Sequence, residues 1–230
     1  WENRLVFGSY PDVLAQPEDA QMILEEMVGS YLFKDIFALD GIRKPTLAVN
    51  MARALAFQIG SEVSSNELAS LLHTDNKTVE RYLDLLQKCY IVFRVSAFSR
   101  NLRNEIRKGF KVYFYDLGVR NALLGNFLPL AARTDGGHLW ENYLIAERLK
   151  RNANRPGKPQ MHFWRTIGDK ENKAKEIDYL EETAGTLAAW EMKLNPAAAN
   201  ALPKAFRKAY PDATTSVLTP ENYAEFLAEA

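Results

Sequence analysis

Residues 176–193 read EIDYLEETAGTLAAWEMK and form the most informative stretch of the chain. Two apolar runs with interspersed acids flank Ala184-Gly185, a pattern that predicts two antiparallel strands joined by a tight turn. A loop of two or four residues centred on that dipeptide places Asp178 opposite Glu191, whereas a three-residue loop would break this register. Because side chains alternate along a strand, Lys193 is expected on the same face as both carboxylates.

The charged face of this predicted hairpin is a candidate metal site, on which Glu176 lies opposite Lys193 and next to the two carboxylates. Opposed carboxylates repel each other unless a cation lies between them, and Mg²⁺ prefers one or two carboxylates completed by water and substrate oxygens. A metal held by Asp178 and Glu191 lowers the pKa of a bound water and neutralises a phosphoryl centre. Lys193 is placed to orient that water or to bind the scissile phosphate. A further carboxylate from a neighbouring helix is expected to come from Glu141.

The same pattern has a second explanation, which is a solvent-facing surface of alternating charges held by cross-strand ion pairs. Glu-x-Lys is a short motif that also occurs at Glu171-Asn172-Lys173. Only Glu191-Met192-Lys193 has an acid at the matching position of the neighbouring strand, and both explanations remain open. The opposite face is expected to belong to the core, and its residues are Ile177, Tyr179, Ala188, Trp190 and Met192.

Residues 135–230 around the hairpin show the alternation of elements that is typical of a small mixed α/β domain. The periodicity predicts, in order, a helix, three strands, a helix, a strand and a helix. Their expected bounds are 138–151, 160–166, 176–181, 187–193, 202–210, 215–219 and 221–227.

Residues 45–134 are predicted to form a winged-helix domain. The expected helices and strands span 45–59, 64–72, 76–88, 90–95 and 111–115. Ser64-Ser65-Asn66-Glu67 has the pattern of a capping box at the start of the second helix, and residues 73–75 form a short turn before the third. Two helices, a short turn, a third helix and a basic hairpin follow the order of a winged helix. In that fold the third helix enters the major groove of DNA and the wing contacts the backbone.

Basic residues make this predicted domain a candidate DNA-binding surface. Residues 94–111 contain one acid, Glu105, and six basic residues, which are Arg94, Arg100, Arg103, Arg107, Lys108 and Lys111. The predicted DNA contacts are Lys77, Arg81, Arg100, Arg103, Arg107 and Lys108, with Thr78 also on the outer side of the third helix. Glu80 and Asp84 lie on the same helix and would repel phosphate. The alternatives are a winged helix that contacts protein and an ordinary solvated basic loop.

Residues 1–44 are predicted to form a helical segment. Pro17-Glu18-Asp19 suits a first helical turn, apolar residues follow with helical spacing to Leu39, and Asp40-Gly41 ends the pattern. The chain begins with Trp1 rather than Met, so we expect it to be part of a longer product.

The composition is that of a globular protein, with 230 residues of which 47% are hydrophobic and 25% charged. Lys plus Arg and Asp plus Glu number 29 each, so the net charge is zero. The one cysteine, Cys89, excludes an internal disulfide and fits a reducing cytosol. No run of 18 apolar residues and no secretory leader occurs. We therefore expect a cytoplasmic protein without a membrane partner.

Residues 135–230 resemble the PD-(D/E)xK nuclease superfamily. The resemblance is carried by a helix with Glu141, the strand Glu176-Ile177-Asp178-Tyr179-Leu180, the strand Trp190-Glu191-Met192-Lys193, and the order of elements. It implies that Asp178 and Glu191 ligate Mg²⁺, that Lys193 is catalytic and that Glu141 supports the site. The proline of the superfamily's name is absent, because Ile177 precedes Asp178.

Nearly the whole chain resembles the C-terminal half of a family of predicted bacterial AAA+ ATPases. The segments that carry this resemblance are Gly8-Ser9-Tyr10-Pro11, Tyr31-Leu32-Phe33-Lys34-Asp35-Ile36, Phe114-Tyr115-Asp116-Leu117-Gly118 and Trp140-Glu141. It implies an ATPase domain before residue 1, of which 1–44 would be a remnant. No G-x-x-x-x-G-K-[ST] motif occurs here, so ATP would bind only through that missing domain. The resemblance implies a DNA-binding region with a nuclease-like module, or a catalytically inactive module that binds DNA or protein.

Overall fold

The computed structural model describes residues 1–31, 44–99, 109–166, 174–199 and 202–228. The chain divides into two compact units, which we call the first unit (1–94 and 111–143) and the second unit (95–110 and 144–230). Both contain helices and strands, so the expected mixed α/β class is confirmed. Within the described ranges, no helix combines the length and the apolar character needed to cross a membrane.

The first unit begins with short helices. They are α1 (Glu2–Phe7), α2 (Pro11–Ala15), a 3₁₀ turn (Pro17–Asp19), α3 (Ala20–Glu26) and a π-helical turn (Met27–Tyr31). Val13, Ala20 and Leu24 form their core. The helix expected from Pro17 is present to Tyr31, the last described residue of this segment, but its first turn is 3₁₀ and its α-helical part ends at Glu26. The π-helical turn contains Gly29, which favours helix poorly. The expected continuation to Leu39 lies outside the described residues.

The next elements of the first unit have the winged-helix order. They are α4 (Pro45–Phe57), β1 (Glu62–Val63), α5 (Ser65–Leu71), α6 (Asn76–Lys88), β2 (Val92–Ala97) and β3 (Phe110–Phe114), and the strand order is β1-β3-β2. The Ser64 side chain accepts a hydrogen bond from the Glu67 N–H at 3.3 Å, as the capping box predicts. Asp75 caps α6 by accepting from the Thr78 N–H at 2.9 Å. Strand β2 starts two residues later than expected, because Tyr90 has a φ of 55° that ends the helix instead.

The end of the first unit ties distant parts of the chain together through α7 (Leu117–Leu124) and the first turns of α8 (Gly136–Asn152). Asp116, which caps α7, accepts the Ser9 N–H at 2.7 Å. The Asn121 amide donates to the carbonyl oxygens of Leu5 and Val6 at 2.9 and 2.8 Å. Side-chain hydrogen bonds therefore join α7 to the amino-terminal helix.

The second unit contains the predicted hairpin. Its elements are residues 144–152 of α8, β4 (Gln160–Arg165), β5 (Glu176–Thr183), β6 (Thr186–Met192), α9 (Lys204–Ala209), β7 (Thr214–Leu218) and α10 (Tyr223–Ala228). The strand order from β2 is β2-β4-β5-β6-β7, with parallel pairs at both ends and antiparallel pairs between them. Strands β5 and β6 pair from Tyr179–Trp190 to Thr183–Thr186, which is the predicted register. The turn is the expected two residues, with φ of 50° at Ala184 and 84° at Gly185.

Apolar residues cover both faces of this hairpin. Leu180 and Ala189 pack with Phe206 of α9, while Tyr179 and Trp190 contact Phe226 of α10. Our expectation that Ile177 shares a face with Tyr179 was wrong, because Ile177 lies in the same cluster as Leu180. The cause is an irregularity in the pairing of β4 with β5, where two steps along β4 match three along β5.

Candidate functional site

Three charged side chains meet at the open end of the β5–β6 hairpin. Asp178 lies on β5, Glu191 lies on β6 and Lys193 follows directly after β6. The Lys193 Nζ lies 2.7 Å from Glu191 Oε1 and 3.6 Å from Asp178 Oδ2. The structure therefore brings together the three hairpin residues that the sequence singled out.

The site is largely withdrawn from solvent. The side chains of Asp178, Glu191 and Lys193 are 12%, 17% and 31% exposed. The Met192 N–H donates to Asp178 Oδ2 at 2.7 Å. Among the described residues, Glu191 Oε2 is buried without a hydrogen-bond partner. Burial and then the charge of Asp178 raise the pKa of Glu191, and the opposing effect of Lys193 does not cancel them.

These donors fit a hard divalent cation. Mg²⁺ uses few protein carboxylates and keeps several waters, so Asp178 and Glu191 supply the number of ligands that it needs. The partnerless oxygen of Glu191 and the repulsion that raises its pKa are both features that a cation would relieve. In the described part of the chain, no group of three or more His, Cys, Asp or Glu side chains is arranged to hold a metal. A metal here would therefore depend on two carboxylates, water and substrate.

Glu141, the predicted supporting carboxylate, belongs to the first unit. It is 7% exposed, and its Oε1 accepts hydrogen bonds from the Tyr113 hydroxyl at 2.5 Å and the Lys111 Nζ at 3.2 Å. Gly60 lies beside it, and a side chain there is disfavoured by the φ of 73° and by the 2.8 Å that would separate its Cβ from His138 Nδ1. The supporting role of Glu141 in a metal site stays a prediction.

The sequence suggested that the basic stretch 94–111 faces solvent, but two of its basic residues are paired with carboxylates. Lys111 is 1% exposed and pairs with Glu141, because it lies on a central strand. Arg94 pairs with Glu80 and Asp84 of α6. The predicted wing contacts Arg100, Arg103, Arg107 and Lys108 lie outside the described residues.

The outer face of α6 lines a groove of about 390 Å³. Its lining residues are Lys77, Glu80, Arg81, Tyr82, Asp84, Leu85 and Lys88. The predicted DNA contacts Lys77 and Arg81 therefore share one surface with Lys88, which the sequence reasoning did not select. Their spacing of four and seven residues could have revealed this, because it repeats one helical face. Thr78 was expected on the outer side of this helix with the DNA contacts, and its hydroxyl donates to Asp75 at 2.8 Å.

A buried ionic network in the second unit was missed by sequence reasoning. The Arg148 guanidinium donates two hydrogen bonds of 2.8 Å to the two oxygens of Glu181. Glu181 Oε1 also accepts from Tyr179 at 2.9 Å and from Asn152 at 2.8 Å. Burial alone would raise the pKa of Glu181, but these hydrogen bonds and the charge of Arg148 lower it. The sequence signal that could have revealed this network is the four-residue spacing of Arg148 and Asn152, which places both on one face of a helix.

A second cluster that sequence reasoning missed lies in the first unit. Asp135 accepts hydrogen bonds from Arg120 at 2.7 Å and from Arg133 at 2.8 Å. Burial would raise the pKa of Asp135, but the two arginines hold it far below its ordinary value. Arg120 also donates to the Ala56 carbonyl at 2.9 Å, so the cluster connects α7 to α4.

Two family models match consecutive parts of the chain. Residues 1–129 match one described as domain of unknown function DUF8612, and residues 136–228 match one described as domain of unknown function DUF4143.

Similar proteins occur in bacteria. Uncharacterized proteins of Mycobacterium tuberculosis and Mycobacterium bovis are each 29% identical over 181 residues, covering 76% of this chain and 38% of the relative. An uncharacterized protein of Haemophilus influenzae is 22% identical over 151 residues, covering 63% of this chain and 36% of the relative. The matched part of the chain thus covers well under half the length of these relatives. No solved structure matches it significantly.

Proposed function

This chain belongs to the family described as domain of unknown function DUF8612, and we propose that it is a DNA-binding region with a metal-dependent, nuclease-like site. The observation that carries the nuclease-like part is the convergence of Asp178, Glu191 and Lys193 at one end of a hairpin. Two carboxylates can hold a divalent cation that activates a water and neutralises a phosphoryl group, and a lysine beside them can orient that water or a phosphate oxygen.

Asp178 and Glu191 are the residues that would hold Mg²⁺. When bound there, the ion supplies an acidified water and neutralises charge on a phosphoryl group. Lys193 would leave its contacts with the two carboxylates and orient the attacking water or the phosphate oxygen. The backbone N–H of Met192 keeps Asp178 in place throughout, because it donates to one carboxylate oxygen.

The DNA-binding part of the proposal is supported by the winged-helix order and by the basic residues of α6. Lys77, Arg81 and Lys88 line one groove, and a helix with cations along one side suits the phosphates that border a major groove. The wing residues Arg100, Arg103, Arg107 and Lys108 would add contacts to the DNA backbone.

A second candidate function is a catalytically inactive module that binds DNA or protein. The ion pairs of Lys193 favour it, since one ammonium group already neutralises part of the charge of Asp178 and Glu191 without a metal. In that case the module would bind its partner in the same way with or without divalent ions.

The remaining length of the relatives leaves room for the ATPase domain that the resemblance implies. We propose that the chain works together with such a domain in the cytoplasm, and that any ATP binds there.

Calorimetric titration of Mg²⁺ and Mn²⁺ tests the metal site. We expect the unaltered chain to bind one ion and Asp178→Ala to bind it at least about 100-fold more weakly, because a ligand is lost. Asp212→Ala, which removes an exposed acid of the second unit, is the matched control and should bind normally. Cleavage of plasmid DNA is then measured with both metals, and Lys193→Ala should bind metal but not cleave. Equal heats for the unaltered chain and Asp178→Ala would reject the metal site and favour the inactive module.

A further inference from the structure

Arg94 connects strand β2 to the outer face of α6. Its Nη1 donates to Glu80 Oε2 at 2.8 Å and its Nη2 donates to Asp84 Oδ1 at 2.9 Å. The Arg94 side chain is 23% exposed, whereas Glu80 and Asp84 are 42% and 60% exposed. Arg94 of β2 therefore holds both carboxylates that line the groove of α6.

These two carboxylates have other cations within reach along the helix. Glu80 follows Lys77 by three residues, and Asp84 lies three residues after Arg81 and four before Lys88. Residues at these spacings are neighbours on a helix surface and form ion pairs. Without Arg94, the carboxylates would turn to the lysines and arginine of the same face and cancel part of their positive potential.

The environment of Glu80 shows that its carboxylate is firmly held on the Arg94 side. Its other oxygen accepts a hydrogen bond from the Ser65 hydroxyl at 2.5 Å. Partial burial would raise the pKa of Glu80, but the hydrogen bonds from Ser65 and Arg94 lower it. Glu80 is therefore charged at neutral pH. Its two carboxylate oxygens are held by Ser65 of α5 and by Arg94 of β2.

We propose that Arg94 is a positioning residue for duplex DNA. It draws Glu80 and Asp84 towards β2 and so keeps the basic face of α6 able to approach the phosphates. The inference rests on the proposed DNA-binding function and assigns to Arg94 an effect that acts through the two carboxylates, without a contact to DNA of its own.

Fluorescence anisotropy with a labelled DNA duplex of about 20 base pairs tests this role in the complete chain. We expect Arg94→Ala to lower the affinity about fivefold, because the two carboxylates then cancel part of the positive potential of the basic face of α6. Adding Glu80→Gln and Asp84→Asn to Arg94→Ala should restore the affinity, since the repelling charges are gone. Arg81→Ala is the comparison for a direct contact, and it should lower the slope of log affinity against log salt by about one.

The outcomes separate the inference from the function on which it rests. If the unaltered chain binds no duplex, the DNA-binding function and the role of Arg94 both fall. If it binds and Arg81→Ala weakens it while Arg94→Ala does not, only the role of Arg94 is refuted. A loss in Arg94→Ala that the two amide substitutions do not restore would mean that Arg94 itself contacts phosphate, which also refutes the inference. Should Arg94→Ala fail to fold by circular dichroism, Arg94→Gln replaces it, because it also removes the cation, and unchanged affinity there would refute the proposal.

Discussion

Replacing Arg148 by methionine should destabilise the second unit strongly. The Arg148 side chain is 4% exposed and that of Glu181 is 8% exposed, so the substitution leaves a carboxylate in the interior with only neutral partners. Removing one member of such a buried ion pair costs about 3–5 kcal/mol. Arg148 also donates to the Phe226 carbonyl at 2.5 Å, so α10 loses an anchor at the same time. Arg155→Met, at an exposed arginine of the same unit, should change the free energy of unfolding by less than about 0.5 kcal/mol.

The measurement is urea unfolding followed by tryptophan fluorescence and far-ultraviolet circular dichroism. Trp190 reports on the site, because the Arg148 guanidinium lies 5.8 Å from its ring. The double variant Arg148→Met/Glu181→Leu should regain about half of the loss, since no buried charge then remains unpaired. The deficit of Arg148→Met should also shrink as the pH falls, because without Arg148 burial raises the pKa of Glu181 and the carboxylate is protonated more easily than in the unaltered chain. A loss below about 1 kcal/mol, or a double variant less stable than the single one, would refute this reasoning.

Two further predictions concern the first unit. Asp135→Asn should lower the free energy of unfolding by an amount that depends on pH. The lowered pKa of Asp135 stabilises the fold above about pH 4, and this contribution is lost as the pH falls below that value. The unfolding free energies of the unaltered chain and the variant should therefore converge in acid. A constant difference from pH 7 to pH 2 would contradict this assignment. Gly118→Ala should lower the free energy of unfolding by about 1–3 kcal/mol, because its Cβ would lie 2.3 Å from the Phe7 carbonyl oxygen. Gly137→Ala, in another helix with no atom within 4 Å of its Cβ, should instead stabilise by about 0.5–1 kcal/mol, and equal effects would speak against the close approach.

The features that were predictable from the sequence depend on residues close together in the chain. The register of β5 with β6 follows from the two-residue turn at Ala184-Gly185, because a short turn leaves few ways to pair its strands. The cap at Ser64 depends on a residue three positions away. The meeting of Asp178, Glu191 and Lys193 was predicted by extending that register beyond Tyr179–Trp190, where the regular pairing ends, and the irregularity beside Asp178 was not predicted.

The features that were missed depend on residues far apart in the chain. Lys111 looked like part of a basic wing, but it is buried because Glu141, thirty residues later, supplies a carboxylate in the interior. Arg94 looked like part of the same basic stretch, and its partners Glu80 and Asp84 come from another element. A basic residue has the same local pattern whether it faces DNA or a carboxylate, so only the tertiary structure distinguishes the two.

The hydrogen bonds between α7 and the amino terminus determine when the first unit can be completed during synthesis. The Ser9 N–H cannot donate to Asp116 until that residue has been synthesised. The carbonyl oxygens of Leu5 and Val6 likewise need Asn121, and in each case the partner comes more than 100 residues later. A ribosome adds about 5–20 residues per second, so the first helices leave the exit tunnel several seconds before their partners. During that interval α1 therefore lacks the hydrogen-bond partner that α7 supplies.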